Sequence, residues 1–151
     1  MNQSLHISDA GIAIEKKYNQ GIGFGFAKKA FALAPGVWII GYGHRILSAG
    51  DYLRTAEIDE ITACKLLALD NTAAEHAVKR SVTVELSQHE FDALTVLAFS
   101  IGARNFCESD LVKMLNAGDT RAAADAFLYW NEFQSASRIV ERALFLGVAD
   151  V

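Results

Sequence analysis

Gly36-Val37-Trp38-Ile39-Ile40-Gly41-Tyr42-Gly43-His44 is the stretch on which the fold of this 151-residue chain turns. Val37 to Ile40 are all β-branched or aromatic, the residue types that fit a pleated, half-buried surface. Glycines at 36, 41 and 43 bracket them, and Pro35 precedes the first, so the run is closed by turn signals at both ends. Most of the chain's glycines and its only proline fall between Gly21 and Gly50, interleaved with Phe24, Phe26, Phe31, Val37, Trp38 and Ile40. That segment reads as a small β-hairpin lobe.

On its N-terminal side, Ser8 is a candidate N-cap for a short helix carrying Ile12, Ile14 and Tyr18 and closed by Gly21. On the other side, Ile58, Ile61, Leu66, Leu67, Ala74, Ala77 and Val78 recur at three-to-four spacing, with no glycine or proline from Ala56 to Val82. One long helix is predicted there. Ser87 with Glu90 has the form of a capping box before Phe91, Leu94, Leu97 and Ile101, and Gly102 ends that run. Further helices are expected from Ser109 to Gly118, from Thr120 through Trp130, and around Ile139, Val140, Leu144 and Phe145. The fold class is therefore α+β, mainly α. A single domain is expected, with an N-terminal lobe over 8–55, a connecting helix over 56–82 and a helical C-terminal lobe over 83–151.

Composition narrows the partners. About half the residues are apolar, enough for a real core, and the net charge is -4. A chain with no positive field is a poor candidate for nucleic acid or for an anionic membrane surface. Cys64 and Cys107 have no neighbour at metal-ligand spacing and are expected to be buried and reduced. No cofactor or metal is implied. Met1 to Asp9 lacks the pattern of a secretory leader, and no apolar run is long enough to span a membrane, so a cytoplasmic location is expected.

Three stretches resemble the phage-type lysozymes, the endolysin muramidases of glycoside hydrolase family 24. The opening stretch is similar to that family's G-V-W-T-I-G-Y-G-H. Glu90-Phe91-Asp92-Ala93-Leu94 through Phe99-Ser100-Ile101-Gly102 is similar to its Q-F-D-A-L with F-N-x-G. Leu115-Asn116-Ala117-Gly118-Asp119, Trp130-Asn131 and the ending Glu141-Arg142-Ala143-Leu144-Phe145-Leu146 complete the match in order. The resemblance implies a phage-type lysozyme fold with a sugar cleft between two lobes. It also implies an ion pair between His44 and Asp70 that ties the hairpin lobe to the long helix, a structural rather than a catalytic role.

Hydrolysis of a glycosidic bond needs a protonated carboxylic acid at the leaving oxygen and a second polar group on the opposite ring face. In the resembling family the acid stands eight residues after the glycine of an S-x-x-G start. Here Ser8-Asp9-Ala10-Gly11 supplies that start and the position is Asn19. The family's aspartate, five residues before the tryptophan, corresponds to Leu33, and the threonine after that tryptophan to Ile39. A carboxamide donates no acid proton, and an aliphatic side chain neither positions water nor stabilises positive charge. Glu15, one turn before Asn19, is the fallback acid, although a solvated charge beside Lys16 and Lys17 is the simpler reading. Asp51, Glu57 and Asp59 read as surface and helix-start charges.

Leu33 and Ile39, with Phe24, Phe26 and Phe31, would make the cleft more apolar than a sugar groove. An apolar patch suits protein association. The expected function is thus a catalytically degenerate lysozyme-like domain that binds a protein partner or a second copy of itself, similar in type to the muramidase-like domains of SpmX-type polarity scaffolds. The alternatives are an active or weakly active endolysin that cleaves peptidoglycan, and a module that binds peptidoglycan without cutting it.

Overall fold

Pro35 and Gly36 form the two-residue turn from which the sheet grows. In the computed structural model, which describes residues 2–18, 25–130 and 135–148, β1 (Ala27–Ala34) and β2 (Val37–Gly41) pair across this turn as antiparallel strands. β3 (His44–Ile46) adds to the far side of β2, so the expected hairpin is a three-stranded meander. Gly36 has φ +75°, the left-handed value that the third residue of a type II turn needs, and Pro35 supplies the fixed φ of the second.

The pairing of β1 with β2 is irregular. Between Ala27↔Gly41 and Phe31↔Ile39, β1 uses four residues where β2 uses two, and between Ala32↔Trp38 and Ala34↔Val37 the extra residue is Leu33. Bulges of this kind bend a strand and increase its local twist. They absorb surplus residues without breaking the ladder.

The helix expected from Ala56 starts later, as α2 (Glu60–Ser81). The Ile58 N–H donates to the Lys28 carbonyl at 2.9 Å, and Lys29 bridges Glu57, so residues 57 and 58 extend alongside β1 instead of coiling. Asp59 then caps the helix. Its carboxylate accepts from the Thr62 N–H at 2.8 Å and its carbonyl from the Ala63 N–H. The Thr62 bonds favour the charged form and hold the Asp59 carboxyl below its ordinary range. From Glu60, α2 runs 22 residues without interruption, roughly 33 Å at about 1.5 Å per residue.

Contacts divide the chain into two compact units, Glu15–Asp70 and Met1–Ile14 with Asn71–Val151, and α2 passes from the one into the other. The first unit has a core of Ile39, Ile40, Ile46, Leu53, Ile58 and Leu67. The second is helical. Its core contains Phe91, Leu94, Leu97, Phe106, Phe127 and Phe145, all essentially removed from water, each side chain worth roughly 1.5–3 kcal/mol relative to exposure.

In the helical unit, α3 (Gln88–Ile101) opens on the complete capping box of Ser87 and Glu90 and closes at Gly102, where φ is +93°. A short helix that the sequence pattern did not reveal follows, α4 (Ala103–Cys107), started by the Phe106 N–H donating to the Gly102 carbonyl. Ser109 caps α5 (Asp110–Asn116) and Asp119 caps α6 (Thr120–Ala126). The helix expected to continue to Trp130 tightens into a 3₁₀ turn at Phe127–Trp130, with the Phe127 ring 5.3 Å from that of Phe145. Phe145 ends α7 (Ser135–Phe145), which packs on α3.

Helix α7 also buries an ion pair. Arg138 and Glu141 are 1% and 0% exposed, with Nη2 2.7 Å from Oε2, and the Ser137 hydroxyl donates to the same oxygen. Burial pushes the Glu141 carboxyl up to about 7 against the opposing pull of Arg138 and Ser137. The cysteines differ from expectation in one respect: both thiols are free, but Cys64 and Cys107 are half-buried rather than buried. Among the described residues no helix is long and apolar enough to cross a membrane.

Candidate functional site

Side chains alternate across a strand, so Ile39 shares a face with its cross-strand neighbours Phe31 on β1 and Arg45 on β3. Trp38 and Ile40 point to the opposite face. Ile39 is 0% exposed, and an aliphatic chain sealed from solvent holds no water. Leu33, the bulge residue, is half-buried. On the opposite face the Arg54 guanidinium stacks 3.8 Å from the Trp38 ring centroid, a cation–π contact that fixes the indole. Nothing in local spacing relates 38 to 54, so the sequence alone does not reveal this contact.

The Phe26 ring packs against Tyr42, 5.8 Å between centroids, with the Lys16 ammonium 5.4 Å from the same tyrosine ring. Tyr42 is 6% exposed, and burial raises its phenol above the ordinary value while Lys16 pulls it down. Phe26 and Phe31 are half-buried. Asn19 and Phe24 lie outside the described residues.

Glu15 corrects an expectation. Read as a solvated charge, it is only 3% exposed. On α1 (Asp9–Lys17) the buried positions are Gly11, Ile14 and Glu15, spaced as one face of a helix, so Glu15 belongs to the inward stripe.

His44 and Asp70 meet. The ring Nδ1 lies 2.9 Å from Oδ2 and 3.1 Å from Oδ1, which links β3 to α2 within the first unit. The hydrogen bond to Asp70 raises the pKa of His44 above its ordinary value, against the lowering effect of burial. Because the folded-state pKa is raised, the stabilisation is fully present below the unfolded value of about 6.5 and is lost as pH rises through the folded one. Thermal melts from pH 5 to pH 8 should therefore show a loss of stability through that window, and Asp70→Asn should make it shallower. An unchanged slope in the variant would remove the pair as its source.

The remaining charges take helix-start and surface roles. Asp51 accepts from the Leu53 N–H at 2.9 Å at the head of the 3₁₀ turn Tyr52–Arg54, and Glu57 lies 4.0 Å from Lys29. Among the described residues no three His, Cys, Asp or Glu side chains are grouped to hold a metal ion. Of the described candidate positions, Phe31 and Ile39 form an apolar cross-strand pair, Leu33 is the bulge residue next to it, and Glu15 on α1 is a buried carboxylate.

Comparison with known proteins matches residues 24–143 to the family model described as phage lysozyme. The endolysin of Salmonella phage P22 is 34% identical over 150 residues, 95% of this chain and 99% of that protein. Among solved structures, the muramidase domain of SpmX from Asticaccaulis excentricus superposes with a TM-score of 0.79 at 31% identity, covering 94% of this chain and 98% of that one. A P22 lysozyme mutant superposes with a TM-score of 0.77 at 33% identity, covering 94% and 99%.

Proposed function

This chain belongs to the phage lysozyme family, and we propose that it is a lysozyme-fold binding module that has lost glycoside hydrolysis. A docking protein segment would meet half-buried Leu33 and Phe31, whereas Ile39 beneath them is sealed from solvent. The observation that carries the reading is Ile39, an aliphatic side chain with no exposed area at the position expected to hold a polar hydroxyl. Leu33, on the β1 bulge, places a second aliphatic where an aspartate is expected. With Asn19 replacing the acid, none of the three positions donates a proton, activates water or stabilises an oxocarbenium ion. General acid catalysis alone contributes roughly 10²–10⁴ in rate, so the loss of the acid and both partners leaves little turnover.

The reading is tested by reversal. Asn19→Glu alone is expected to release no reducing ends from purified peptidoglycan, whereas Asn19→Glu, Leu33→Asp and Ile39→Thr together should begin to release them, with circular dichroism confirming the fold. Activity restored by the single change would confine the defect to one position and contradict the account of Leu33 and Ile39.

One observation favours a second reading, an endolysin that still cuts. Glu15 is a carboxylate withdrawn from water on the α1 stripe, whereas Asp9, the other carboxylate of that helix, is exposed. Glu15→Gln separates the two: it abolishes lysis if Glu15 is the acid and has no lysis to abolish if the chain is silent.

A further inference from the structure

Two arginines serve the sheet, and they spend their charge differently. Arg54 lies on the Trp38 ring, 3.8 Å from its centroid, on one face. Arg45 stands on the other face, where it closes the cross-strand row Phe31, Ile39, Arg45 that runs over β1, β2 and β3. It is exposed, and its guanidinium has no hydrogen-bond or ion-pair partner among the described residues. The acids that follow β3 are engaged elsewhere. Asp51 accepts from the Leu53 N–H, Glu57 lies beside Lys29, and Asp59 caps α2. Asp70 holds His44, whose side chain leaves β3 on the face opposite to Arg45.

The row therefore has two unlike ends. At the β1 end, half-buried Phe31 and the half-buried bulge residue Leu33 offer apolar area. At the β3 end is an uncommitted cation, with sealed Ile39 between. Neighbouring strands lie about 4.8 Å apart, which separates the Cα atoms of Phe31 and Arg45 by roughly 10 Å. In an extended segment, side chains two residues apart share a face at a spacing of roughly 6.6 Å, and the arginine stem covers the difference. The hydroxyls of a sugar find no donor or acceptor on the three apolar side chains. A peptide with an aliphatic residue and, two residues on, a carboxylate matches both ends, and a guanidinium fork suits a carboxylate bidentately.

We propose, on the reading that this face takes a protein segment, that the segment is extended and acidic: an aliphatic side chain rests on Phe31 and Leu33, and a carboxylate two residues away pairs with Arg45. Arg45 is then the residue that determines specificity. Because it is exposed, the pair is screened by salt and adds selectivity more than affinity. In a chain of net charge -4, an uncompensated arginine beside an apolar pair directs an acidic segment to this one face.

Fluorescence anisotropy on the whole chain tests this, with a short labelled peptide carrying leucine and glutamate two residues apart in a background of serine and glycine. Saturable binding below about 1 mM is expected. Glutamine in place of the peptide's glutamate should weaken it about fivefold. Arg45→Glu should weaken the glutamate peptide about tenfold or more and favour a lysine version instead. Leu33→Ser should weaken the glutamate and glutamine peptides alike, with circular dichroism confirming the fold of each variant. No binding up to about 1 mM would overturn the proposal, as would binding indifferent to Arg45→Glu and to the peptide's charge. Displacement of the peptide by soluble peptidoglycan fragments would also overturn it, by making a glycan the ligand. Charge-indifferent binding would still leave an apolar protein segment on this face, whereas the functional reading fails only by reducing-end release from the unaltered chain, so the two failures are distinguishable.

Discussion

Glu141→Leu is expected to lower the free energy of unfolding by about 3–5 kcal/mol, because it strands a guanidinium in the core. Arg138 is 1% exposed and its Nη2 is held by Glu141 Oε2 at 2.7 Å. Arginine does not escape by losing its proton. Arg138→Met should be milder, since the Glu141 carboxyl left behind can remain neutral, and the double change Arg138→Met with Glu141→Leu should recover most of the loss by replacing the pair with packing. Urea titrations of the three variants give the coupling. A Glu141→Leu loss below 1 kcal/mol would show that water reaches the pair.

The same carboxyl sets a pH dependence. Its folded-state pKa is raised from 4.5 to about 7. The folded chain therefore holds this proton longer than the unfolded one, and stability falls as pH rises from about 4.5 to about 7. Glu141→Leu should remove this part of the slope, whereas Asp70→Asn removes only the part due to His44.

Asp92→Ala should cost about 3 kcal/mol, the second largest effect. Asp92 is 2% exposed and accepts from the Ser8 N–H at 2.9 Å, from the Ser8 hydroxyl and from the Gln88 amide at 2.8 Å. Hydrogen bonds to a charged acceptor contribute about 1.5–3 kcal/mol each and are not additive. Ser8 directly precedes α1, so losing its anchor also frees the start of that helix. Hydrogen exchange should show Ile12 and its neighbours losing protection first. A variant as stable as the parent would mean that Glu75, which accepts from the Ile7 N–H at 2.7 Å, holds the segment alone.

What the sequence made legible depended on range. Turn chemistry at Pro35-Gly36 and the box of Ser87 with Glu90 were readable because each is settled within four residues. The bulge at Leu33 was not, since register is a property of two strands and only pairing with β2 shows which residue is surplus. Residues 57 and 58 looked helical by apolar spacing and are extended because β1 offers them a hydrogen-bond partner. Glu15 was misread for a different reason. Its charge suggested the surface, although its place one residue after Ile14 and four after Gly11 already put it on the inward face. Arg138 and Glu141 went unnoticed as a buried pair because an i, i+3 ion pair has the same spacing on the surface as in the core.

Aliphatics occupy both sheet positions where polar partners were expected, and Glu15 is the buried carboxylate on α1. Reducing-end release from purified peptidoglycan by the unaltered chain decides between them most directly. No release above the uncatalysed background is expected, even at stoichiometric protein. Sustained release that Glu15→Gln abolishes would contradict it and identify a working muramidase.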